Sequence, residues 1–261
     1  MEVSEIIQVL EKALDEYKSS GISLRDLSAK YKVSRGVLSG FLLGRGVDIY
    51  SKKSSVNNYA FEKIETEEQA YWLGFLYADG CVHHYKSSKD IELTLQEQDY
   101  EHLIKFARFV DYKGAIAHRE KQKAYRVSFG SAKMHDDLVR LGCVERKSLI
   151  LEFPKPEIVP FELQRHFIRG YFDGDGCLSL ALRKDYTYRK TVSLLGTEGF
   201  LSWMILYLPF KIKKKCVKKC KDNDSNTFYL QLNQDDSALF LDYIYSDCTV
   251  YLDRKYLKYI A

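Results

Sequence analysis

Two segments of the chain end in the same pair of residues, and their carboxylates could act together in catalysis. The first segment, YWLGFLYADG, spans residues 71–80, and the second, FIRGYFDGDG, spans residues 167–176. Each is an apolar run that closes with Asp-Gly. A pattern repeated within one chain predicts two similar halves that face each other. We therefore expect Asp79 and Asp175 to lie near each other where the halves meet.

The small residues of each segment predict how the two halves pack. Gly74 and Ala78 are four residues apart in the first segment, and Gly170 and Gly174 are four residues apart in the second. Residues with this spacing lie on one face of a helix. Two such faces can pack with their backbones close together, which brings the two helix ends together.

The end of the first helix is an unfavourable place for a carboxylate. Residues 66–69, with the sequence TEEQ, have the pattern of a capping box that begins a helix. Gly80 is typical of a residue that ends one. Asp79 would then lie at the negative end of the helix dipole, which disfavours a carboxylate there by roughly 0.3–1 kcal/mol.

The second segment repeats this conflict. Pro160 can occupy the first turn of its helix, and Gly176 can end it, which leaves Asp175 at another negative helix end. Two carboxylates held together repel each other, and one of them takes up a proton unless a cation lies nearby. A divalent metal ion resolves the conflict, so the pattern predicts a metal site.

These residues resemble the paired signature helices of single-chain LAGLIDADG homing endonucleases. Residues 72–80 and 168–176 fall on the nine motif positions. Downstream of the first motif, the hexapeptide VERKSL at 144–149 is echoed after the second motif by LDRKYL at 252–257. The resemblance covers residues of about 60 to 261, and the order of the four segments makes chance a poor explanation.

The resemblance implies a site-specific endonuclease that hydrolyses double-stranded DNA and leaves staggered 3′ overhangs. It implies Mg²⁺, with Mn²⁺ as a substitute, held between Asp79 and Asp175. A metal ion held there can activate the attacking water and neutralise the leaving 3′ oxygen. It also implies a monomer whose partner is double-stranded DNA, with no membrane and no obligate protein partner.

The resemblance assigns four further residues to the active site. The backbone carbonyls of Ala78 and Gly174 would complete the metal ligands. Lys147 and Lys255, the lysines of the two hexapeptides, would stabilise developing negative charge or orient water. The alternative is that these two lysines are ordinary solvated surface residues, as the lysine of an isolated Arg-Lys pair usually is.

Composition predicts an intracellular protein with local basic surfaces. The net charge is only +4, so a nucleic-acid surface must come from clusters of basic residues rather than from total charge. The six cysteines include no CxxC pair, and the chain has no signal peptide and no run of 18 apolar residues. We therefore expect a reduced, soluble, intracellular protein.

Residues 1–46 predict a small all-α module. Residues 3–17 have helical periodicity, and residues 23–37 resemble a helix-turn-helix. A DNA-contacting role is the first interpretation. A plain helical packing module is the alternative, because Gly36 and Gly40 each cost the second helix roughly 0.8–1 kcal/mol relative to alanine.

The details of this module follow from its caps and apolar positions. Ser23 and Ser34 are the expected N-caps. The expected core is Leu24, Leu27, Val33 and Val37, and the expected DNA contacts are Arg25, Lys30, Lys32 and Arg35. Residues 47–60 lose periodicity and gather Ser, Asn and Lys, which predicts a linker.

The rest of the sequence predicts two repeats, residues 61–155 and 156–261, each with the order α-β-β-α-β-β-α. The expected fold class is therefore α+β with two pseudo-symmetric repeats. In the first repeat the strands are expected at 81–85, 91–96, 114–118 and 124–130, and the later helices at 99–110 and 132–141. In the second repeat the strands are expected at 177–183, 188–195, 210–221 and 227–233, and the later helices at 198–208 and 235–245. Helices on one side of an antiparallel sheet leave its other face free. By resemblance, the two free faces form a saddle over DNA.

Residues 211–221 contain seven lysines. Read as a strand with period two, one face carries the odd-numbered lysines, and Ile212, Cys216 and Cys220 occupy the other. Lysines on a free sheet face are placed to meet phosphates. The alternative is a solvated edge strand that its lysines protect from aggregation. The expected DNA contacts here are Lys211, Lys213, Lys215, Lys219 and Lys221.

Basic residues also gather in the other expected hairpins, with tyrosines among them. These tyrosines either contact DNA or only stiffen the sheets. The expected DNA contacts in these hairpins are Arg119, Lys121, Lys123, Arg126, Arg183, Lys184, Arg189 and Lys190.

Three acidic residues near the motifs have more than one interpretation. Asp99 and Glu198 occupy strand-to-helix junctions, where the family often has a polar residue that orients water, but both also fit helix N-caps or first-turn acids. Asp173 has Tyr77 as its counterpart in the first motif. It is therefore expected to serve one half only, behind the metal ligands.

The competing hypothesis is a nucleic-acid-binding protein that does not cleave, either an intron RNA maturase or a transcription regulator. Family members that lose cleavage usually lack one of the two aspartates. This chain keeps both aspartates and both lysines, which favours an endonuclease. A scaffold for a protein partner would leave the lysine-rich segment unexplained.

Overall fold

The chain forms two compact units in the computed structural model, Met1–Lys53 and Ser54–Ala261. Both predicted repeats fall within the second unit. No helix in the described part of the chain is long and apolar enough to cross a bilayer. The residues that the structure describes are 3–20, 22, 24–47, 56–85, 88–145, 150–185, 188–212, 216–220 and 227–261.

The first unit is helical. Its described helices are α1 (Val3–Ser20), α2 (Leu24–Tyr31) and α3 (Arg35–Gly44). Ser34 caps α3 as predicted, because its hydroxyl accepts a hydrogen bond from the Val37 amide. Ser23, the other predicted cap, lies outside the described residues.

The core predicted for this unit is wrong at one residue, Val37. The side chain of Val37 is 50% exposed, whereas Leu38 and Leu42 of the same helix are fully buried. Residues four apart share a helix face, and a shift of one residue turns a side chain by about 100°. The buried face of α3 therefore follows Leu38 and Leu42, and Val37 lies outside it.

The predicted linker ends earlier than residue 60. The amide of Asn57 donates to the carbonyl of Val110 at 2.8 Å, and Ala60 and Phe61 are buried in the core of the second unit. The body therefore begins before residue 61. Residues 48–55 of the predicted linker lie outside the described residues.

The first repeat has the predicted order of elements. The capping box is confirmed, because the Thr66 hydroxyl accepts from the Gln69 amide and the Gln69 side chain accepts from the Thr66 amide. The elements are α4 (Glu67–Ala78), β1 (Gly80–Tyr85), β2 (Ser88–Gln96), α5 (Tyr100–Phe109), β3 (Ala117–Arg119), β4 (Ala124–Gly130) and α6 (Ala132–Arg140).

The second repeat has the same order and adds one helix at its end. The prediction that Pro160 occupies the first turn of the motif helix is wrong, because Pro160 precedes a separate 3-10 turn, Phe161–Leu163, and the helix begins at Gln164. The elements are α7 (Gln164–Asp175), β5 (Cys177–Leu182), β6 (Tyr188–Gly196), α8 (Glu198–Leu206), β7 (Val217–Lys219), β8 (Phe228–Asn233), α9 (Asp235–Tyr245) and α10 (Asp253–Ile260). The added helix, α10, contains most of the second basic hexapeptide.

The strand predicted over residues 210–221 is wrong in its length. Among the described residues of this segment, only Val217–Lys219 form a strand, and they pair with Phe228–Leu230 of β8. Ile212 is buried in the core instead of pairing, so the chain enters the core before the strand begins. Lys213, Lys215 and Lys221 lie outside the described residues.

Each repeat forms a four-stranded antiparallel sheet among its described residues. The strand order is β1-β2-β4-β3 in the first sheet and β5-β6-β8-β7 in the second. Alternate residues such as Ile91 and Leu93 of β2, and Val192 and Leu194 of β6, are buried in the core. Because successive side chains point to opposite faces, the intervening residues form a second face. We call this second face of each sheet its open face.

The motif helices α4 and α7 pack against each other through their glycines. A β-carbon added to Gly74 would lie 2.0 Å from the carbonyl oxygen of Phe167, and one added to Gly170 would lie 1.9 Å from that of Tyr71. Only glycine permits so close an approach. The predicted packing of the small residues is confirmed, and it joins the two repeats into one unit.

Candidate active site and nucleic-acid interface

The two motif aspartates lie at the adjoining ends of α4 and α7. Asp79 is the C-cap residue of α4, Asp175 is the last residue of α7, and both side chains are exposed. A β-carbon added to Gly174 would lie 2.3 Å from Ala78 Cβ and 3.2 Å from Asp79 Oδ2. The carboxylate of Asp79 is therefore next to the backbone that carries Asp175.

These helix ends lead into the two sheets. β1 begins at Gly80, next to Asp79, and β5 begins at Cys177, two residues after Asp175. The two aspartates therefore lie where the chain passes from each motif helix into the sheet of its repeat.

Lys255 lies beneath this point and is buried, with 3% of its surface exposed. Its Nζ donates hydrogen bonds to the carbonyl oxygens of Phe172 at 2.6 Å, Asp173 at 2.7 Å and Gly174 at 3.3 Å. The carbonyl oxygen of Gly176 also lies 2.5 Å from Nζ, so the three ammonium protons are shared among four acceptors. The ammonium group therefore satisfies carbonyls at the end of α7 and offsets the negative end of its dipole.

Asp173 is buried beside Lys255. Its carboxylate accepts hydrogen bonds from the Tyr71 hydroxyl at 2.8 Å, the Tyr245 hydroxyl at 2.5 Å and the Leu252 amide at 2.8 Å. The carboxylate thus joins α4 of the first repeat to α9 and to the segment before α10 in the second. Asp173 is fully buried, behind the exposed aspartates, but the expectation that it serves one half only is wrong, because it binds both repeats.

Burial shifts the pKa values of this pair in opposite directions. Loss of hydration raises the pKa of Asp173, while the Lys255 charge and the three hydrogen bonds partly oppose that rise. Burial lowers the pKa of Lys255 to about 8, and the negative charge of Asp173 partly opposes that fall. Each group therefore supports the charged form of the other.

A histidine extends the buried network into α5. The ring nitrogen Nε2 of His102 lies 2.9 Å from the Tyr71 hydroxyl. Since Tyr71 donates its proton to Asp173, His102 Nε2 must donate to Tyr71, so Nε2 carries a proton. Burial lowers the pKa of His102 to about 3, which favours the neutral form.

The two junction acids have different environments. Asp99 is buried, and Arg254 Nε donates to its two carboxylate oxygens at 2.9 and 3.1 Å. Glu198 is exposed in the first turn of α8, and Thr197 caps that helix instead. The interpretation of Glu198 as a first-turn acid agrees with the structure. Asp99 has a partner in the other repeat, which the sequence did not indicate.

The sequence also missed Arg169, which is fully buried in α7. It donates to Glu67 Oε1 at 2.6 Å and to the carbonyl oxygens of Val250 and Ile244, each at 2.8 Å. Glu67 begins α4, so this ion pair links the two repeats at the other end of the motif helices. A charged residue within the apolar run FIRGYF was the available signal.

Lys147 lies outside the described residues, as does the rest of the first basic pair. Its role remains a prediction from the sequence.

The open face of the first sheet carries a charged pair at its centre. Strand pairing aligns Thr94, Arg126 and Ala117 on this face. Arg126 Nη1 donates to Glu92 Oε2 at 2.9 Å, and both side chains are partly exposed. Arg119 pairs with Ala124. Ala124 is two residues before Arg126 in β4 and so shares its face, which places Arg119 on the open face as well. Lys121 and Lys123 lie at the adjoining hairpin turn.

The open face of the second sheet is mostly uncharged and polar. It includes Ser179, Thr191, Ser193 and Gln231, with Arg189 opposite Ala181. Exposed Arg183 and Lys184 follow the end of β5. Lys211 is exposed as well.

Pairing register changes the position expected for two lysines of the second repeat. Lys190 pairs with Leu180 on the helix-covered face, where its Nζ donates to the carbonyl oxygen of Tyr259 at 2.5 Å. Lys219 follows Val217 on that same face, because Val217 pairs with buried Leu230. Lys218 takes the open face instead, so the predicted face of Lys219 is wrong.

The basic residues of the first unit are exposed, but they differ in their partners. Lys30 forms an ion pair with Glu16 at 2.6 Å. Lys32 has a positive φ of 53° in the turn between α2 and α3. Arg25 lies near the start of α2 and Arg35 begins α3.

The paired carboxylates suit a hard divalent cation. Within the described residues, no group of three or more His, Cys, Asp or Glu side chains is arranged to hold a metal ion. Mg²⁺, however, is commonly bound by one or two carboxylates and keeps several waters. Asp79 and Asp175, with the neighbouring carbonyls of Ala78 and Gly174, provide such an oxygen donor set.

Comparison with known proteins gives similarities among solved structures only. No model of a known family and no curated protein matches the chain. The chain is similar to the I-LtrWI LAGLIDADG homing endonuclease bound to target DNA, with 10% identity over 74% of this chain and 88% of the other and a TM-score of 0.47. It is similar to the I-SmaMI LAGLIDADG homing endonuclease bound to cleaved DNA, with 13% identity over 76% and 87% and a TM-score of 0.48.

A third similarity is to the LAGLIDADG meganuclease I-AabMI bound to uncleaved DNA, with 11% identity over 68% of this chain and 83% of the other and a TM-score of 0.45. These solved structures belong to the family that the motifs of the sequence resemble. Because all three TM-scores are below 0.5, we base the function of this chain on its own residues and geometry.

Proposed function

We propose that the chain is a site-specific, Mg²⁺-dependent endonuclease of the LAGLIDADG kind that cleaves double-stranded DNA and leaves 3′ overhangs. The observation that supports this most is the pair of exposed aspartates at the adjoining ends of α4 and α7. A carboxylate pair at two negative helix ends carries an electrostatic cost. The Lys255 ammonium beneath the pair offsets part of that cost, and a divalent cation held between the two carboxylates would offset more of it.

Different residues of this chain would have different roles in phosphodiester hydrolysis. Asp79, Asp175 and the carbonyls of Ala78 and Gly174 would hold the metal, which when bound supplies water activation and charge neutralisation at the leaving oxygen. Lys255 holds the Gly174 carbonyl in place and adds positive charge beneath the reacting phosphate. Lys147 is the predicted counterpart in the first repeat. Positive charge fixed near the transition state stabilises the charge that develops there.

We assign DNA binding to the two open faces. They supply two pseudo-symmetric surfaces from one chain, so a monomer can contact both halves of a long site. Arg119, Arg126 and Arg189 lie on these faces, whereas Lys190 lies on the helix-covered face. Phosphate contacts from such residues supply affinity that falls with salt, and contacts to base edges supply specificity.

Arg189 and Lys190 provide a matched test of this orientation. We expect Arg189→Gln to weaken DNA binding and to reduce the slope of log affinity against log salt by about 0.9, the value for one lost phosphate contact. Lys190→Gln removes the same charge from the opposite face and should leave the slope unchanged. Binding is measured by titration over a salt series without divalent metal. Equal effects of the two substitutions would assign DNA to a different surface.

We further propose that the first unit is a helix-turn-helix that grips DNA beside the cleavage site. The support is the short turn at residues 32–34 between α2 and α3, with Arg35 beginning α3 and exposed. The unit has its own buried core, which includes Leu27, Leu38 and Leu42. Lys30 contributes less to this proposal because it is paired with Glu16.

Removal of the first unit tests this second proposal. A protein of residues 54–261 keeps the core of the second unit, so we expect it to fold and to cut the same central site. It should bind more weakly, protect a shorter stretch of DNA and show a shallower salt slope, because phosphate contacts are lost. Footprinting and salt titration measure these changes. Identical footprints and slopes would show that the first unit does not touch DNA.

Selection from a randomised DNA library with Mg²⁺ tests the main proposal. We expect one long site to be cut on both strands, with no cutting when the metal is chelated. A protein that binds a preferred sequence but never cuts it would be a nucleic-acid-binding protein, as in the alternative hypothesis. The same binding assay is repeated with RNA, and tighter binding to RNA than to DNA would favour the maturase alternative.

A further inference from the structure

The segment that carries Lys255 is anchored on the first repeat. Arg254 Nε donates to both carboxylate oxygens of Asp99, at 2.9 and 3.1 Å. Asp99 lies just before α5, yet its side chain makes no capping hydrogen bond to that helix. Its carboxylate side chain is 8% exposed. The buried carboxylate is therefore used to hold the other repeat rather than its own helix.

A second contact binds the same segment to α5. Lys105 Nζ donates to Asp253 Oδ1 at 2.8 Å and to the carbonyl oxygen of Tyr251 at 3.2 Å. Asp99, just before α5, and Lys105, in the middle of α5, thus face Arg254 and Asp253 at the start of α10. Complementary charges of this kind fix the register of one segment on another.

The opposite side of the segment faces the end of α7. The Leu252 amide donates to Asp173, and three residues later Lys255 reaches the carbonyls of Phe172, Asp173 and Gly174. The segment is therefore held between α5 of the first repeat and α7 of the second. A shift of the segment on α5 would move the Lys255 ammonium away from these carbonyls.

We infer that Asp99 is a positioning residue, which through Arg254 keeps the Lys255 ammonium of the other repeat against the carbonyls beside the candidate metal ligands. This inference rests on the proposed function for its catalytic consequence, but the position of Lys255 can be measured without it. Asp99 acts through Arg254 rather than orienting water itself. Glu198, the corresponding acid of the second repeat, is exposed, whereas Asp99 is buried, and the counterpart of Arg254 in the first repeat lies outside the described residues.

The test compares Asp99→Asn with Glu198→Gln, which neutralises the corresponding acid. The first measurement is the rate at which an amine-acylating reagent labels Lys255 in the absence of DNA and metal. Mass spectrometry quantifies the labelled peptide. Exposed Lys258 serves as the internal reference. We expect Asp99→Asn to accelerate labelling of Lys255 by about tenfold relative to Lys258, the scale expected when hydrogen bonds to a charged group are lost. Glu198→Gln should leave the ratio unchanged.

The second measurement is strand-resolved cleavage of the selected DNA site. We expect Asp99→Asn to lower kcat by about tenfold with little change in KM, and to slow the same DNA strand that Lys255→Met slows. Glu198→Gln should not slow the strand that Lys255→Met slows. A role of Asp99 in general stability would slow both strands equally.

Arg254→Gln gives an independent check, because the Arg254 side chain is 42% exposed, so that its replacement disturbs packing less than a change at buried Asp99. It should reproduce the faster labelling of Lys255, and it decides the matter if Asp99→Asn fails to fold. Unchanged labelling in the folded variants overturns the inference. If the parent protein does not cleave DNA, the proposed function fails, while the labelling result still decides whether Asp99 positions Lys255.

Discussion

Replacement of either Asp79 or Asp175 by Asn is expected to lower the rate of double-strand cleavage by about 10³-fold or more. Each substitution removes a charged metal ligand but keeps the size and shape of the side chain. The lost interaction acts mainly in the transition state, so kcat should fall far more than affinity. DNA binding, which we assign to the open faces, should stay within about twofold of the parent.

The control for this prediction is Asp111→Asn. Asp111 is an exposed acid of the same unit with a positive φ of 52°, a conformation that Asn adopts readily. This control changes the net charge equally and should cleave at the parent rate. Rapid Mg²⁺-dependent cutting of both strands by Asp79→Asn or Asp175→Asn would show that the active site lies elsewhere. Rates are measured on the selected site with each strand labelled separately.

Replacement of Gly74 or Gly170 by Ala is expected to destabilise the second unit by about 3 kcal/mol or more, at the upper end of the range for overpacking. The added methyl group at either position would lie about 2 Å from a carbonyl oxygen of the facing helix. Backbone cannot move aside as a side chain can, so the two helices must separate. Separation would also loosen the paired aspartates and reduce cleavage.

Gly199→Ala is the matched control for the motif glycines. Gly199 lies in α8, and an added β-carbon there has no heavy atom within 4 Å among its described surroundings. This substitution should not destabilise the unit, and the better helix propensity of alanine can stabilise it by up to about 1 kcal/mol. Denaturant unfolding of the three variants measures the difference. Equal stability of Gly170→Ala and Gly199→Ala would contradict the close packing of α4 on α7.

The contacts between repeats explain why two similar halves form one unit. Glycine packing holds α4 against α7 along their length, and the buried pair of Arg169 and Glu67 adds a link at the start of α4. Near the other end, Asp173 and the Asp99–Arg254 pair connect the same halves. Breaking one partner of a buried pair leaves an uncompensated charge. These links are spread from one end of the motif helices to the other.

The amino-acid sequence by itself determined the elements and the location of the candidate site. The duplicated motif, the Thr66 capping box and the alternation of apolar residues are local patterns, and each depends on neighbours a few positions away. Such patterns specified where α4 begins and where α4 and α7 end, whereas α7 begins at Gln164, later than Pro160 indicated. They therefore predicted that Asp79 and Asp175 lie at helix ends, and the small residues predicted that those ends adjoin.

Only the tertiary structure decided which face each side chain occupies and which partner it meets. Arg189 and Lys190 are neighbours in sequence, but strand register sends them to opposite faces. The same rule reversed the expected face of Lys219, and one step around a helix removed Val37 from the core. The burial of Lys255 and the pairing of Asp99 with Arg254 join residues more than 80 and 150 positions apart. Contacts at such separations depend on the packing of whole elements, which local patterns do not encode.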